Sequence, residues 1–98
     1  MKIINSEEFR ARAKGQKVFV VQFSATWCGP CKTLTKTIKE NEDKFTNPIY
    51  KMDLDTNAEL ASVLGIRSVP TIIRFENEQE VKRVIGNQTF EQLLELTV

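Results

Sequence analysis

The stretch KVFVVQF, Lys17 to Phe23, is apolar at odd and even positions alike apart from Gln22. Strand side chains alternate between two faces, so a strand with one wet face shows a polar residue at every second position. This run does not. It fits a central strand covered on both sides, and a sheet covered on both sides needs helices above and below it. Gln22 is then a buried amide, expected to be hydrogen-bonded rather than idle.

The rest of the chain supplies such elements in alternation. KII, Lys2 to Ile4, is a short strand candidate. Asn5 or Ser6 can cap the next helix, with Glu8 three after Asn5 in capping-box register, and Gly15 ends it. A helix opening near Cys28 is expected to run to about Asn41, with Leu34 and Ile38 on its inner face. IYKMDLD, from Ile49, reads as a second central strand. Thr56 or Asn57 caps a short helix carrying Leu60, Ala61 and Leu64, closed by Gly65. TIIRF and EVKRVIG, from Thr71 and Glu80, flank ENEQ and read as an antiparallel hairpin. Phe90, Leu93, Leu94 and Thr97 give the last helix its apolar stripe. The order β-α-β-α-β-α-β-β-α predicts an α/β fold. Its central mixed sheet has about five strands flanked by about four helices, in one domain over residues 1–98.

Composition narrows the function. Fourteen Lys and Arg against thirteen Asp and Glu leave a net charge of +1. That balance gives no electrostatic reason to expect nucleic acid or an anionic membrane as partner. No apolar run approaches the roughly 20 residues of a membrane span. The segment MKIINSEEFRARAK turns polar too early for a secretory signal. A cytoplasmic setting is expected, where thiols are kept reduced. The chain has no His, which removes the commonest neutral-pH base and metal ligand. Nothing calls for an obligate dimer, so a monomer is expected, and no bound cofactor or metal is implied.

Both cysteines lie in ATWCGPCK, at Cys28 and Cys31. At i and i+3 on a first helical turn they face the same side, within disulfide reach. Helix N-terminal amides favour an anion there, so a thiol at that spot loses its proton more readily than a free one. Cys28 comes first and is expected to be the exposed nucleophile, with Cys31, one turn deeper, as the resolving thiol. Pro30 suits a first turn and stiffens it, and Gly29 lets another chain approach. Three duller readings compete. A structural disulfide would close a tiny loop, worth only about 2 kcal/mol by the chain-entropy relation. A zinc site needs about four ligands and finds two thiols. An inert buried pair leaves the Gly-Pro insert without a purpose. Thiol–disulfide exchange is the strongest reading.

FSATWCGPCK resembles the active-site segment of thioredoxins, whose hallmark is WCGPC. The likeness continues through MDLDTNAELASVLGIRSVPTIIRFENEQEVKRVIGN and covers essentially the whole chain. It implies a protein-disulfide reductase acting on disulfide-containing proteins and re-reduced by a thioredoxin-reductase-type donor. It implies a Cys28–Cys31 disulfide in the oxidised form and a cis bond between Val69 and Pro70. It also implies backbone pairing of Val69 with substrate, and a shallow apolar docking surface completed by a half-exposed Trp27, Gly86 and Asn87.

Three departures stand out. Gln22 replaces the family's usual buried Asp, thought to manage the resolving thiol's proton, and Gln cannot exchange a proton. Lys51 matches the family's lysine near that carboxylate, without its charge partner. Lys36 replaces a proline that kinks the second helix, which should therefore run straighter. Glu78 stands in the hairpin turn where Gly is common. Lys32, Lys36 and Lys39 form a basic stripe, a solvated face or a means of steering acidic partners. Gln22 also leaves room for a rival reading, a thioredoxin-fold binding subunit with its redox pair idle. The intact WCGPC argues against it.

Overall fold

The structure, a computed structural model, describes all 98 residues. Helix α1 (Ser6–Gly15) leads into strand β1 (Val18–Ser24), followed by α2 (Gly29–Glu40), a 3-10 turn (Glu42–Lys44) and β2 (Ile49–Asp53). Then come α3 (Ala58–Val63), the β3 (Thr71–Glu76) and β4 (Gln79–Ile85) hairpin, and α4 (Phe90–Thr97). The strand order is β2-β1-β3-β4. β2 runs parallel to β1, and the other pairings are antiparallel.

Strand β1 is the centre, as its doubly apolar pattern required. Every residue from Phe19 to Ser24 is at most 1% exposed. Phe19, Val21 and Phe23 join Phe9, Leu60 and Phe75 in a core under α1 and α3. Val20 joins Leu34, Ile38, Leu93 and Leu96 in a second core under α2 and α4. Burying side chains of this size stabilises by roughly 1.5–3 kcal/mol each.

Several expectations need correction. The Lys2–Ile4 strand shrinks to a single bridge between Ile3 and Lys51, leaving a sheet of four strands. The reason is Asn5. Its side chain accepts the Glu8 N–H at 2.8 Å while Glu8 accepts the Asn5 N–H at 3.1 Å, and this capping box turns the chain into α1. For the same reason β2 lies at the sheet's edge rather than its centre. Only the bonds of Lys51 to Lys2 and Ile4 cover its outer side. Asn57 precedes α3 but does not cap it. Its Oδ1 accepts from Ser6 instead, tying the start of α1 to the start of α3. In α4 the buried face is Leu93, Leu96 and Thr97, with Leu94 at its margin. Helix α2 is unbroken through Lys36.

Arg83 on β4 donates to the Leu64 and Gly65 carbonyls at the end of α3 and to Glu80. Its hydrogen bond holds the Glu80 carboxyl below the usual carboxylate range, against a smaller opposing effect of burial.

The hairpin turn carries strain. Asn77 and Glu78 have φ of 51° and 69°, the left-handed region that side chains with a Cβ disfavour. An Asn-Gly pair suits such a turn better. Glu78→Gly should raise stability by about 0.5–1 kcal/mol. A denaturant midpoint that fails to rise would contradict this account of the turn.

Candidate active site

The first turn of α2 carries both cysteines. Cys28 is the N-cap residue, in extended conformation at φ −91° and ψ 110°. Its Sγ accepts the Cys31 N–H at 3.1 Å. A helix start leaves its first amides without partners, and here a sulfur fills the place usually taken by a side-chain oxygen. The two sulfurs are bonded to each other, with Cα atoms 5.3 Å apart. Pro30 sits in the first turn, where its missing N–H costs no hydrogen bond.

The expectation of an exposed Cys28 is corrected. Cys28 is 5% exposed and Cys31 1%. Ala25 clusters with both cysteines, and Val69 packs against that cluster. Gly29 and Pro30 are exposed. A Cβ at Gly29 would meet nothing in this chain, so the space over it is open.

Gln22 is buried, with 0% exposure, and both ends of its amide are engaged. Its Nε2 donates to the Cys31 carbonyl at 3.1 Å, and its Oε1 accepts the Thr35 hydroxyl at 3.2 Å. Lys51 is the register partner of Gln22 across β1 and β2. It is half-buried and forms no ion pair. A cavity of about 520 Å³ opens beside Cys31, with Lys32, Lys51 and Asp53 in its lining.

Sheet register brings the second loop to the first. Phe23 at the end of β1 pairs with Thr71 at the start of β3. The chain after β1 therefore runs beside the segment before β3, where the Val69–Pro70 bond is cis and Pro70 is buried. The Gly86 N–H donates to the Pro70 carbonyl at 2.8 Å, with Gly86 at φ +89°. Asn87, next along, is exposed.

Trp27 is 71% exposed, further out than half. Its ring N–H donates to Asp55 Oδ2 at 3.0 Å, which anchors the indole to the loop after β2 rather than to the core. Trp27, Asp55, Ile66 and Val69 share a shallow cavity of about 140 Å³. The sequence reading missed Asp53 and Asp55. One signal was available: both follow from MDLD at the carboxyl end of a strand, where open α/β sheets place their sites.

The thioredoxin family model matches residues 1–97. The chain belongs to the thioredoxin family. It is 37% identical over 94 residues to thioredoxin from Alicyclobacillus acidocaldarius, covering 92% of this chain and 88% of that one. It is 35% identical over 88 residues to a bifunctional thioredoxin reductase/thioredoxin from Mycobacterium leprae, covering 88% of this chain and 19% of that one. A solved structure of Plasmodium falciparum thioredoxin superposes with a TM-score of 0.89 at 29% identity, covering 97% of each chain. This membership makes the chain a protein-disulfide oxidoreductase, and the bonded cysteines stand where thioredoxins carry their redox pair.

The buried Gln22–Thr35 bond offers a direct test. Thr35→Val keeps the shape of the side chain and leaves Gln22 Oε1 without a donor. Stability should fall by about 1–3 kcal/mol, the cost of an unsatisfied buried polar atom. An unfolding midpoint equal to that of the parent protein would show that the bond does not matter.

Proposed function

We propose that this thioredoxin, acting as one domain and a monomer, reduces protein disulfides through Cys28, with Cys31 as the resolving thiol. The observation that carries the reading is the place of Cys28 at the N-cap of α2, its sulfur bonded to Cys31 and beside Val69.

The chemistry runs in two displacements. Reduced Cys28, as thiolate, attacks one sulfur of the substrate disulfide. The substrate's other sulfur leaves as a thiolate and takes up a proton. The mixed disulfide then places Cys28 Sγ within reach of Cys31. Cys31 gives up its proton, attacks Cys28 Sγ and expels the second substrate thiol, so that two electrons pass to the substrate. The Cys31 N–H that meets Cys28 Sγ favours negative charge on that sulfur, as does the helix end around it. Gln22 holds the Cys31 carbonyl, and so the turn that presents both sulfurs.

Substrate docks across Trp27, Val69, Pro70, Gly86 and Asn87 in this reading. Val69 lies outside the strands and its N–H and carbonyl make no backbone hydrogen bond within the chain, which leaves both for an extended partner segment. The open space over Gly29 lets that segment come close. Pro30 limits the backbone freedom of the reduced pair, and Lys51 adds positive charge on the inner side of Cys31. The electron donor is a thioredoxin-reductase-type enzyme, an assignment supported by the relative that names both activities in one protein. No helix is long and apolar enough to cross a membrane. A reducing compartment such as the cytoplasm suits a dithiol that must be regenerated.

Insulin reduction, driven by a thioredoxin reductase, tests the division of labour. Cys28→Ser should reduce insulin no faster than buffer. Cys31→Ser should attack once and stall as a covalent adduct on Cys28. A Cys31→Ser protein that turns over at the parent rate would sink the scheme.

A further inference from the structure

We propose that Asp53 accepts, through water in the cavity beside Cys31, the proton that the Cys31 thiol must lose before it resolves the mixed disulfide. The inference rests on the reading of Cys28 and Cys31 given above and adds a residue to it.

The second displacement needs a thiolate on Cys31. Cys31 is 1% exposed, so its proton needs a route and an acceptor. The side chain bonded to its carbonyl is Gln22, an amide with no proton to exchange. Thr35, which donates to Gln22, does not titrate either.

A cavity meets Cys31. At about 520 Å³ it has room for many waters, and its wall includes Ser24, Lys32, Lys51, Asp53 and Thr56. The cleft is partly open to solvent and six polar side chains stand in its wall, so water can enter and be held there. The groups facing it from each element are few. Helix α2 brings Cys31 and Lys32, strand β2 brings Lys51 and Asp53, and β1 brings Ser24. Ile3 comes from the N-terminal segment, and Arg67, the charged residue of the loop before Pro70, lines the cavity by Trp27 instead. The ammonium groups of Lys32 and Lys51 are donors only. Asp53 is the single carboxylate in the wall. Asp55 holds the Trp27 ring and lines the other cavity.

Register places Asp53 well. It pairs with Ser24, and Lys51 pairs with Gln22, so the two residues point from β2 to the face that α2 covers. The Asp53 carboxylate accepts from the Asp55 N–H at 3.2 Å and the Thr56 hydroxyl at 3.4 Å. Those bonds fix it and leave lone pairs free. A water hydrogen-bonded to the Cys31 thiol takes its proton and passes one to Asp53. The Cys31 thiolate forms its bond to Cys28 Sγ as the Cys28–substrate bond breaks. Lys51 and Lys32 stabilise the passing negative charge. Asp53 then returns its proton to solvent.

Rapid mixing of the reduced protein with excess dithiobis-nitrobenzoate separates the steps. The first coloured thiol reports attack by Cys28 and depends on reagent concentration. The second reports resolution by Cys31, does not depend on it, and is missing in Cys31→Ser. Asp53→Asn keeps the oxygen that accepts the Asp55 N–H. It should leave the first phase unchanged and slow the second by about tenfold or more at neutral pH, the lower range of general-base effects. The parent rate should hold as pH falls until the carboxylate protonates. The Asn variant, left to hydroxide, should lose rate steadily from neutral pH downwards, and Asp53→Glu should keep the parent profile. A second phase in Asp53→Asn that matches the parent in rate and pH profile overturns the proposal. So does equal slowing in the Asn and Glu variants with an unchanged profile. A parent protein with no Cys28-dependent first phase would instead overturn the reading of Cys28, and this inference with it.

Discussion

Strand β1 has water on neither face, and the rest of the architecture answers to that. An aromatic-rich layer over Phe19, Val21 and Phe23 and an aliphatic layer over Val20 cannot both close unless helices flank the sheet both ways. In the middle of this strand sits one amide. A buried Gln would be costly if idle, so its two hydrogen bonds fix a relation between β1 and α2. Gln22 reaches the Cys31 carbonyl and is met by Thr35. The strand that holds the core together thus also sets the depth at which the redox turn lies.

From that anchor the site follows by local rules. Cys28 caps α2, and the Cys31 N–H points at its sulfur. The strand order does the remaining positioning. With β2 and β3 on either side of β1, the loops after β1 and β2 and the segment before β3 meet at one end of the sheet. That end gathers the disulfide, the Trp27–Asp55 pair, the cis bond before Pro70 and the cavity beside Cys31. The two sides of the redox turn differ in character. The outer side is shallow around Trp27 and Val69, suited to a peptide, while the inner side carries Lys51 and Asp53 beside Cys31, suited to moving a proton.

The sequence made the hydrophobic frame legible because β1 and α2 declare their burial by pattern alone. The helix cap at Asn5 and the cysteine pair were equally plain, since each depends on residues three apart. What could not be read depends on distant partners. Whether Lys2 to Ile4 extends the sheet turns on how soon the Asn5 cap bends the chain away. The buried stripe of α4 turns on its rotation over the sheet, which selects Leu96 rather than Leu94. Trp27 stands out because Asp55, 28 residues on, takes its ring N–H. Asp53 gains meaning only when register sets it on the face of Gln22 and α2 covers it.

The central claim is that one helical turn makes two like thiols unequal, Cys28 reactive and Cys31 held back. Limited alkylation of the reduced protein by iodoacetamide at neutral pH, with peptide mapping of the two sites over time, tests it most directly. The account predicts that Cys28 is modified first and nearly to completion while Cys31 stays free. Equal labelling of both thiols, or labelling of Cys31 first, would contradict it.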